Sequence, residues 1–150
     1  MFKFRFILTA LLIMFAANLS ANAATIGYAD FQKVLTDYKY ARTAYKDIDN
    51  KLMELQQYII DKEKQFKTIE SPIQRKTFED QIQKEFKAKE ERVYNLKVQK
   101  EKEIQNNILA ASKAVATSKK LDVVLDYSVV YAGGVDVTND IIQYLNSAKK

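Results

Sequence analysis

The residue types that perform acid–base and nucleophilic chemistry are scarce in this chain of 150 residues, which contains no Cys and no His. Disulfides, thiolate or imidazole metal sites and Ser-His-Asp or Cys-His catalysis are therefore excluded. Glu90 and Glu91 are adjacent and would point in different directions on a helix, so they do not form an acid/base pair. Gly133-Gly134 is not followed directly by a helix, and no GxxxxGK[ST] loop occurs. We expect neither an enzyme nor a cofactor.

The basic residues are concentrated in the middle of the chain. Residues 51–100 carry twelve Lys and Arg against nine Asp and Glu, whereas residues 101–150 carry six of each. This surplus favours association with acidic polypeptide segments or with anionic lipid, including a lipopolysaccharide surface. An ordinary solvated helix face is the plain alternative, because the surplus is small. The basic residues concerned are Lys62, Lys64, Lys67, Arg75, Lys76, Lys84 and Lys87.

Long helices must position these residues, because three Gly and one Pro cannot provide the turns of a many-stranded sandwich or barrel. Apolar residues recur from Tyr38 to Ile69 at alternating steps of three and four, with Lys62 at one position of the pattern. This heptad seam predicts a helix that packs along its length against a partner. The apolar seam residues are Tyr38, Ala41, Tyr45, Ile48, Leu52, Leu55, Ile59, Phe66 and Ile69.

The partner is a second helical stretch, predicted from about Ile73 to Ser118. Pro72 separates the two, since the residue before a proline avoids the α region and proline has no N–H to donate. Folding back at this point gives an antiparallel coiled coil, an arm of roughly 40 residues and about 60 Å. Phe66 and Phe78 should pack against each other near its tip, which we expect to bend and fray.

The two ends of the chain are predicted to form a small β-sheet body. Strands are expected at Thr25–Asp30 and at Asp122–Asp126. The runs Val129–Tyr131 and Val135–Val137 flank Ala132-Gly133-Gly134, which predicts a β-hairpin. The fold class is therefore α+β, with the helical hairpin inserted between the first and second strands.

A last helix is expected after the hairpin, with Thr138 as its N-cap and Asp140 in its first turn, where the helix dipole favours an anion. Ile141, Ile142 and Leu145 would form its buried side. So small a body leaves sheet edges open, which favours oligomerisation. The body residues expected to take part are Ile26, Tyr28, Phe31, Val123, Val124, Leu125, Val129, Tyr131, Val135, Val137 and Ile141.

The N-terminus has the pattern of an export signal. Lys3 and Arg5 precede an almost wholly apolar run, and Ala21-Asn22-Ala23 supplies the small residues of a cleavage site, so cleavage is expected before Ala24. A transmembrane anchor is the competing interpretation, but the run is shorter than the ~20 residues that span a bilayer. The predicted organisation is a signal peptide at 1–23, a body from 24–37 and 119–150, and an arm at 38–118 with its tip near 71–72.

Two blocks of sequence carry a family resemblance. One is IGYADFQKVL, which follows the signal; the other is AVATSKKLDVVLDYSVVYAGGVDVTNDIIQYLN, and a long charged helical segment separates them. Together they resemble the Skp/OmpH family of periplasmic chaperones over residues 26–146. The resemblance implies a homotrimer in the periplasm, with three tentacle-like arms around a cavity. It also implies an ATP-independent holdase whose partners are unfolded outer-membrane β-barrel proteins.

On this interpretation the arm binds the client. Tyr58, Phe66 and Phe78 would take up apolar side chains, and the seven basic residues named above would attract acidic segments or lipid. The plain alternative for Phe66 and Phe78 is a packed pair inside the coiled coil. A structural coiled-coil spacer of the envelope is the second function considered, although it predicts regular heptads, which Lys62, Lys89 and Lys100 interrupt. A nucleic-acid binder fits the pI of about 9.2 but not the export signal.

Overall fold

The computed structural model describes residues 24–147, so the predicted signal peptide and its cleavage site lie outside the described residues. The described chain is α+β: a three-stranded sheet and three short helical segments form a body, and two long helices project from it as a hairpin. The elements in chain order are β1 (Ile26–Ala29), α1 (Phe31–Asp37), α2 (Lys39–Lys67), α3 (Pro72–Lys119), β2 (Val123–Asp126), a 3₁₀ turn (Tyr127–Val129), β3 (Val135–Asp136) and α4 (Thr138–Ser147).

Helices α2 and α3 form the antiparallel arm that the heptad seam predicts. Phe66 and Phe78 stack near the tip with ring centroids 6.4 Å apart, so the predicted aromatic pair is confirmed. Ser71 caps α3 by accepting a hydrogen bond from the Gln74 N–H, and Pro72 occupies its first turn, where a missing N–H costs nothing. The 29 residues of α2 extend for about 44 Å and the 48 residues of α3 for about 72 Å, so the predicted length of about 60 Å lies between the two.

A separate short helix precedes the arm, and the chain is interrupted between the two helices at Tyr38. The sequence predicts one helix that starts there, whereas the structure has a separate α1 before it and begins α2 at Lys39. Tyr38 is extended and buried, and its hydroxyl accepts a hydrogen bond from the Asn107 side chain of α3 at 3.2 Å. Asn146 of α4 spans the break, since its amide accepts from the Lys39 N–H and donates to the Asp37 carbonyl.

The sheet has β1 at its centre, with β2 and β3 both parallel to it. The predicted β-hairpin at 129–137 is therefore wrong: Val129 belongs to a 3₁₀ turn, residues 130–131 are outside any strand, and β3 pairs with β1. The chain from β2 to β3 crosses to the far edge of β1 instead of reversing. Gly133 and Gly134 do adopt positive φ, of 80° and 88°, but they redirect this crossing.

Two glycines permit close packing around β1. A Cβ at Gly134 would lie 3.2 Å from the Ile26 carbonyl oxygen, and one at Gly27 would lie 2.6 Å from the Leu121 side chain. Because neither glycine has a Cβ, the chain before β3 can approach β1, and the turn after α3 can pack against β1. Thr138 is the first residue of α4 and not its N-cap; its N–H and hydroxyl both donate to Asp136. The prediction of Thr138 as N-cap is wrong because Asp136 supplies the capping oxygen.

The core lies where the arm joins the body. Its buried side chains come from the sheet, from both short helices and from the adjoining ends of α2 and α3. Ile141 and Leu145 of α4 are buried as predicted, whereas Ile142 is only partly buried. The buried apolar residues are Ala29, Val34, Tyr38, Ala41, Ala44, Ile48, Ile104, Ala111, Val115, Leu121, Val137, Ile141 and Leu145.

Candidate binding surface of the outer arm

The outer arm, defined as residues 49–103, contains no buried residue although every one of its residues is described. The last buried seam residues on its body side are Ile48 and Ile104. Beyond them the seam side chains, such as Leu55, Ile59 and Phe66, are only half-buried. Two helices bury one narrow stripe between them, so much apolar surface stays in contact with water. The outer arm can therefore offer apolar contacts without unfolding.

Its polar face carries a cluster around Tyr58. The Tyr58 hydroxyl donates to Glu85 of α3 at 2.6 Å, and the Gln81 amide donates to the other carboxylate oxygen at 2.7 Å. The ammonium groups of Lys62 and Lys89 lie over the Tyr58 ring, 5.5 and 4.9 Å from its centroid. Burial and the Glu85 carboxylate raise the pKa of Tyr58 to about 12. The hydrogen bond from Tyr58 lowers the pKa of Glu85.

The opposite side of the arm is a largely apolar face. Lys67 lies nine residues from Tyr58 and Gln83 two residues from Glu85, so each is on nearly the opposite side of its helix. Both line an open groove of about 370 Å³ near the tip, which we call the tip groove. Two lysines and two glutamates line the tip groove, so its formal charges cancel. The residues that line it are Ile59, Lys62, Glu63, Phe66, Lys67, Glu79, Ile82, Gln83 and Phe86.

Exposed apolar side chains continue this face towards the body. Met53 and Ile60 precede Lys67 at steps of seven residues on α2, and they are 57% and 45% exposed. On α3, Tyr94 lies eleven residues from Gln83, on the same side of the helix, and is 65% exposed. A second groove of about 650 Å³ then follows at the base. Its apolar lining residues are Phe31, Leu35, Tyr45, Ile104, Ile108, Leu109 and Val124.

The seven basic residues predicted for client binding do not form one continuous surface. Lys62 and Lys67 line the tip groove, whereas the Arg75 guanidinium stacks on the Phe66 ring at 5.5 Å and donates to the Ile69 carbonyl. Lys64 and Lys76 pair with acidic residues on their own helices, Asp61 and Asp80, at 3.8 and 3.3 Å. These pairs are solvent-exposed and contribute little to stability.

Lys84 and Lys87 are exposed, and no carboxylate of residues 24–147 forms an ion pair with either. They remain free to meet an acidic partner.

The sequence interpretation missed Met53, Ile60 and Tyr94, because they lie off the seam. Their signal was an apolar residue at a repeated seven-residue step beside the seam, with charged neighbours.

The body also exposes apolar side chains, and they belong to the residues predicted for assembly. Ile26, Val123 and Val135, one from each strand, are exposed in the single chain, as are Val129 and Tyr131 of the crossing segment. Val137 and Ile141 are fully buried within the chain, so they support the body from inside. The remaining members of the predicted set, Tyr28, Phe31, Val124 and Leu125, are half-buried.

Comparison with known proteins gives one family. No curated protein matches the chain. Within residues 24–147, no helix combines the length and the apolar character that a membrane span needs. A family model described as outer membrane protein (OmpH-like) matches residues 25–145, which include the whole sheet, the arm and most of α4. The chain therefore belongs to the OmpH-like family.

Proposed function

We propose that this protein is an ATP-independent periplasmic holdase, which binds unfolded outer-membrane β-barrel proteins between the arms of a homotrimer and prevents their aggregation. The OmpH-like family has a chaperone-type role in the cell envelope, and outer-membrane proteins are its kind of partner. The proposal adds the mechanism, the assembly and the part of this chain that makes contact. We propose no enzymatic activity and no cofactor.

The observation that carries the proposal is the apolar face of the outer arm. The tip groove, Met53, Ile60, Tyr94 and the base groove follow one another along the same side of the hairpin. Monomeric soluble proteins rarely leave so long a series of apolar side chains uncovered unless a partner covers it. Unfolded chains expose apolar side chains and can contact such a face at several points. Several weak contacts in series give retention that is still reversible without nucleotide.

The free cations would act at longer range. Lys84 and Lys87 attract acidic segments of a client or anionic lipid before apolar contact forms, and salt should weaken this attraction. Assembly would rest on the exposed apolar side chains of the sheet and of Tyr131, which a partner subunit can cover. Three arms would then face a common space with their apolar faces inward.

The test uses the chain from Ala24 and a urea-unfolded outer-membrane β-barrel protein. On dilution without nucleotide, we expect soluble stoichiometric complexes and suppressed light scattering. A Met53→Ser/Ile60→Ser double variant should release the client several-fold faster, because each substitution removes an apolar contact from an exposed position. Leu52→Ser is the control: Leu52 is 43% exposed on the same helix, but as the neighbour of Met53 it lies about 100° around the helix from it and off the apolar face defined above.

Two results would contradict the proposal. If the unchanged protein does not suppress aggregation at a stoichiometric ratio, the holdase function is wrong and a structural spacer is favoured. If the Leu52 and Met53/Ile60 variants release the client equally fast, the apolar face is not the contact surface. Light scattering that gives a monomer mass at micromolar concentration would separately reject the trimer.

A further inference from the structure

The arm contains the same three-residue constellation twice. In the outer cluster, Tyr58 donates to Glu85 and the Lys89 ammonium lies over the tyrosine ring at 4.9 Å. In the inner cluster, the Tyr40 hydroxyl donates to Glu103, and the Lys100 ammonium lies over the ring at 5.3 Å and donates to the hydroxyl at 3.2 Å. The hydrogen bond to Tyr40 raises the pKa of Lys100. In each cluster a tyrosine of α2 thus links a carboxylate and an ammonium of α3.

The two clusters occupy mirrored positions in the hairpin. Tyr40 and Tyr58 are eighteen residues apart, and so are Glu85 and Glu103. Eighteen residues are five helical turns, so the two clusters lie about 27 Å apart on one side of the arm. Two such links along one face of a coiled coil define how far one helix has slid along the other.

The chemistry of the outer cluster penalises other registers. A slip of one heptad along α3 would bring Phe78 or Arg92 opposite Tyr58, and neither side chain can accept the hydroxyl hydrogen. Glu85 would also move away from Lys62 of α2, whose positive charge lowers the pKa of Glu85. Half-buried apolar residues such as Ile59 and Ile82 pack in several registers at similar cost, so they specify less.

The surroundings of the two clusters differ. Ala41, Ala44, Ile48 and Ile104 are buried beside the inner cluster and hold α2 against α3 there. No residue is buried beside the outer cluster, and towards the tip the Phe66–Phe78 stack and the contacts of Arg75 with Phe66 and Ile69 follow. Loss of the inner hydrogen bond would leave a packed junction, whereas loss of the outer one would leave only half-buried side chains.

We propose that the Tyr58–Glu85–Lys89 cluster is a latch, which holds the outer arm closed in one register and can open without disturbing the base. The latch is a property of the free arm and does not depend on the proposed client. Opening separates α2 from α3 beyond Tyr58 and exposes the seam side chains that are half-buried in the closed arm. When one polar cluster closes the part of the arm outside the buried base, that part has two states, one closed and one locally open.

Hydrogen–deuterium exchange of the free protein tests the latch. In Tyr58→Phe, which removes only the hydroxyl, amides of 55–66 and 78–89 should exchange about tenfold faster, since a net hydrogen bond to a carboxylate is lost. Amides of 40–48 and 104–115 should not change. Glu85→Gln, which removes the charge at constant size, should act in the same direction. Tyr94→Phe is the matched control, because Tyr94 is exposed and no hydrogen bond of its hydroxyl is formed within residues 24–147.

Spin labels measure the opening directly, because the chain has no cysteine and two can be introduced alone. Labels at Lys64→Cys and Lys84→Cys report on the outer arm, and labels at Lys46→Cys and Lys102→Cys on the inner arm. Tyr58→Phe should broaden the first distance distribution and leave the second unchanged. The latch is overturned if Tyr58→Phe equals Tyr94→Phe in both measurements, or if both label pairs broaden equally.

Discussion

The base of the arm and the outer arm belong to the same two helices, but they are stabilised differently. At the base, Ile48, Ile104, Ala111 and Val115 are buried because α1, α4 and the sheet cover the hairpin from outside. In the outer arm nothing within residues 24–147 covers the hairpin, and its seam stays half-exposed. A third layer, and not the seam itself, therefore makes the difference between a core and a binding surface.

The largest expected effect comes from removing packing on either side of this boundary. Ile104→Ala should lower the free energy of unfolding by about 3 kcal/mol, since Ile104 is fully buried and its loss leaves a cavity. Ile82→Ala, the same change in the half-exposed tip groove, should cost about 1 kcal/mol or less. Urea denaturation followed by far-UV circular dichroism measures both. Equal losses would show that the outer arm is as well packed as the base.

Sequence reasoning was accurate where one residue type decides the outcome. Pro72 ends the hairpin turn because its geometry permits little else, and its equal distance from Phe66 and Phe78 predicts their contact. The prediction of a β-hairpin was wrong because a glycine pair marks a turn but does not determine which strand pairs with the strand that follows. The outer strands needed β1 between them, and that pairing spans about one hundred residues of sequence.

The candidate surface was only partly predictable for a similar reason. A heptad seam says which side of a helix meets its partner, and it groups Tyr58 with the apolar patch at the tip. It does not distinguish the two flanks of the hairpin, which depend on the register of both helices at once. Tyr58 turned to Glu85 on one flank, while Ile60 and Tyr94 were left on the other. Equal distances from Pro72 pair Tyr58 with Phe86, one residue beyond Glu85, so this rule alone does not identify the partner of Tyr58.

An intermediate effect is expected at the junction between the arm and α4. Asn146→Ala removes two hydrogen bonds to the backbone at the Tyr38 break, of 2.9 and 3.0 Å, each contributing about 1 kcal/mol. The free energy of unfolding should fall by about that sum or less, and amides of 37–41 should exchange faster. Asn139→Ala is the matched control in the same helix, because Asn139 is exposed. Equal effects of the two variants would remove Asn146 from the support of the arm.

The smallest expected effect is a pH dependence, which should distinguish the outer arm from the base without a substitution. The pKa of Tyr58 is raised from 10.0 to about 12, so its neutral form is favoured in the folded arm. Its contribution to stability is fully present below pH 10 and is lost as pH rises towards 12. The distance distribution between labels at positions 64 and 84 should therefore broaden over this range, while that between positions 46 and 102 should broaden less.

Tyr58→Phe isolates the tyrosine in this titration. Lys62 and Lys89 face the same ring, so ammonium–ring contacts also hold the outer arm. The variant keeps both lysines and the ring, and it should begin broader at neutral pH but change less between pH 10 and 12. A variant that changes as much as the unchanged protein would show that the Tyr58 hydroxyl does not cause the alkaline opening. In that event the outer arm would be held by ammonium–ring contacts, and the hydroxyl of Tyr58 would not be what distinguishes it from the base.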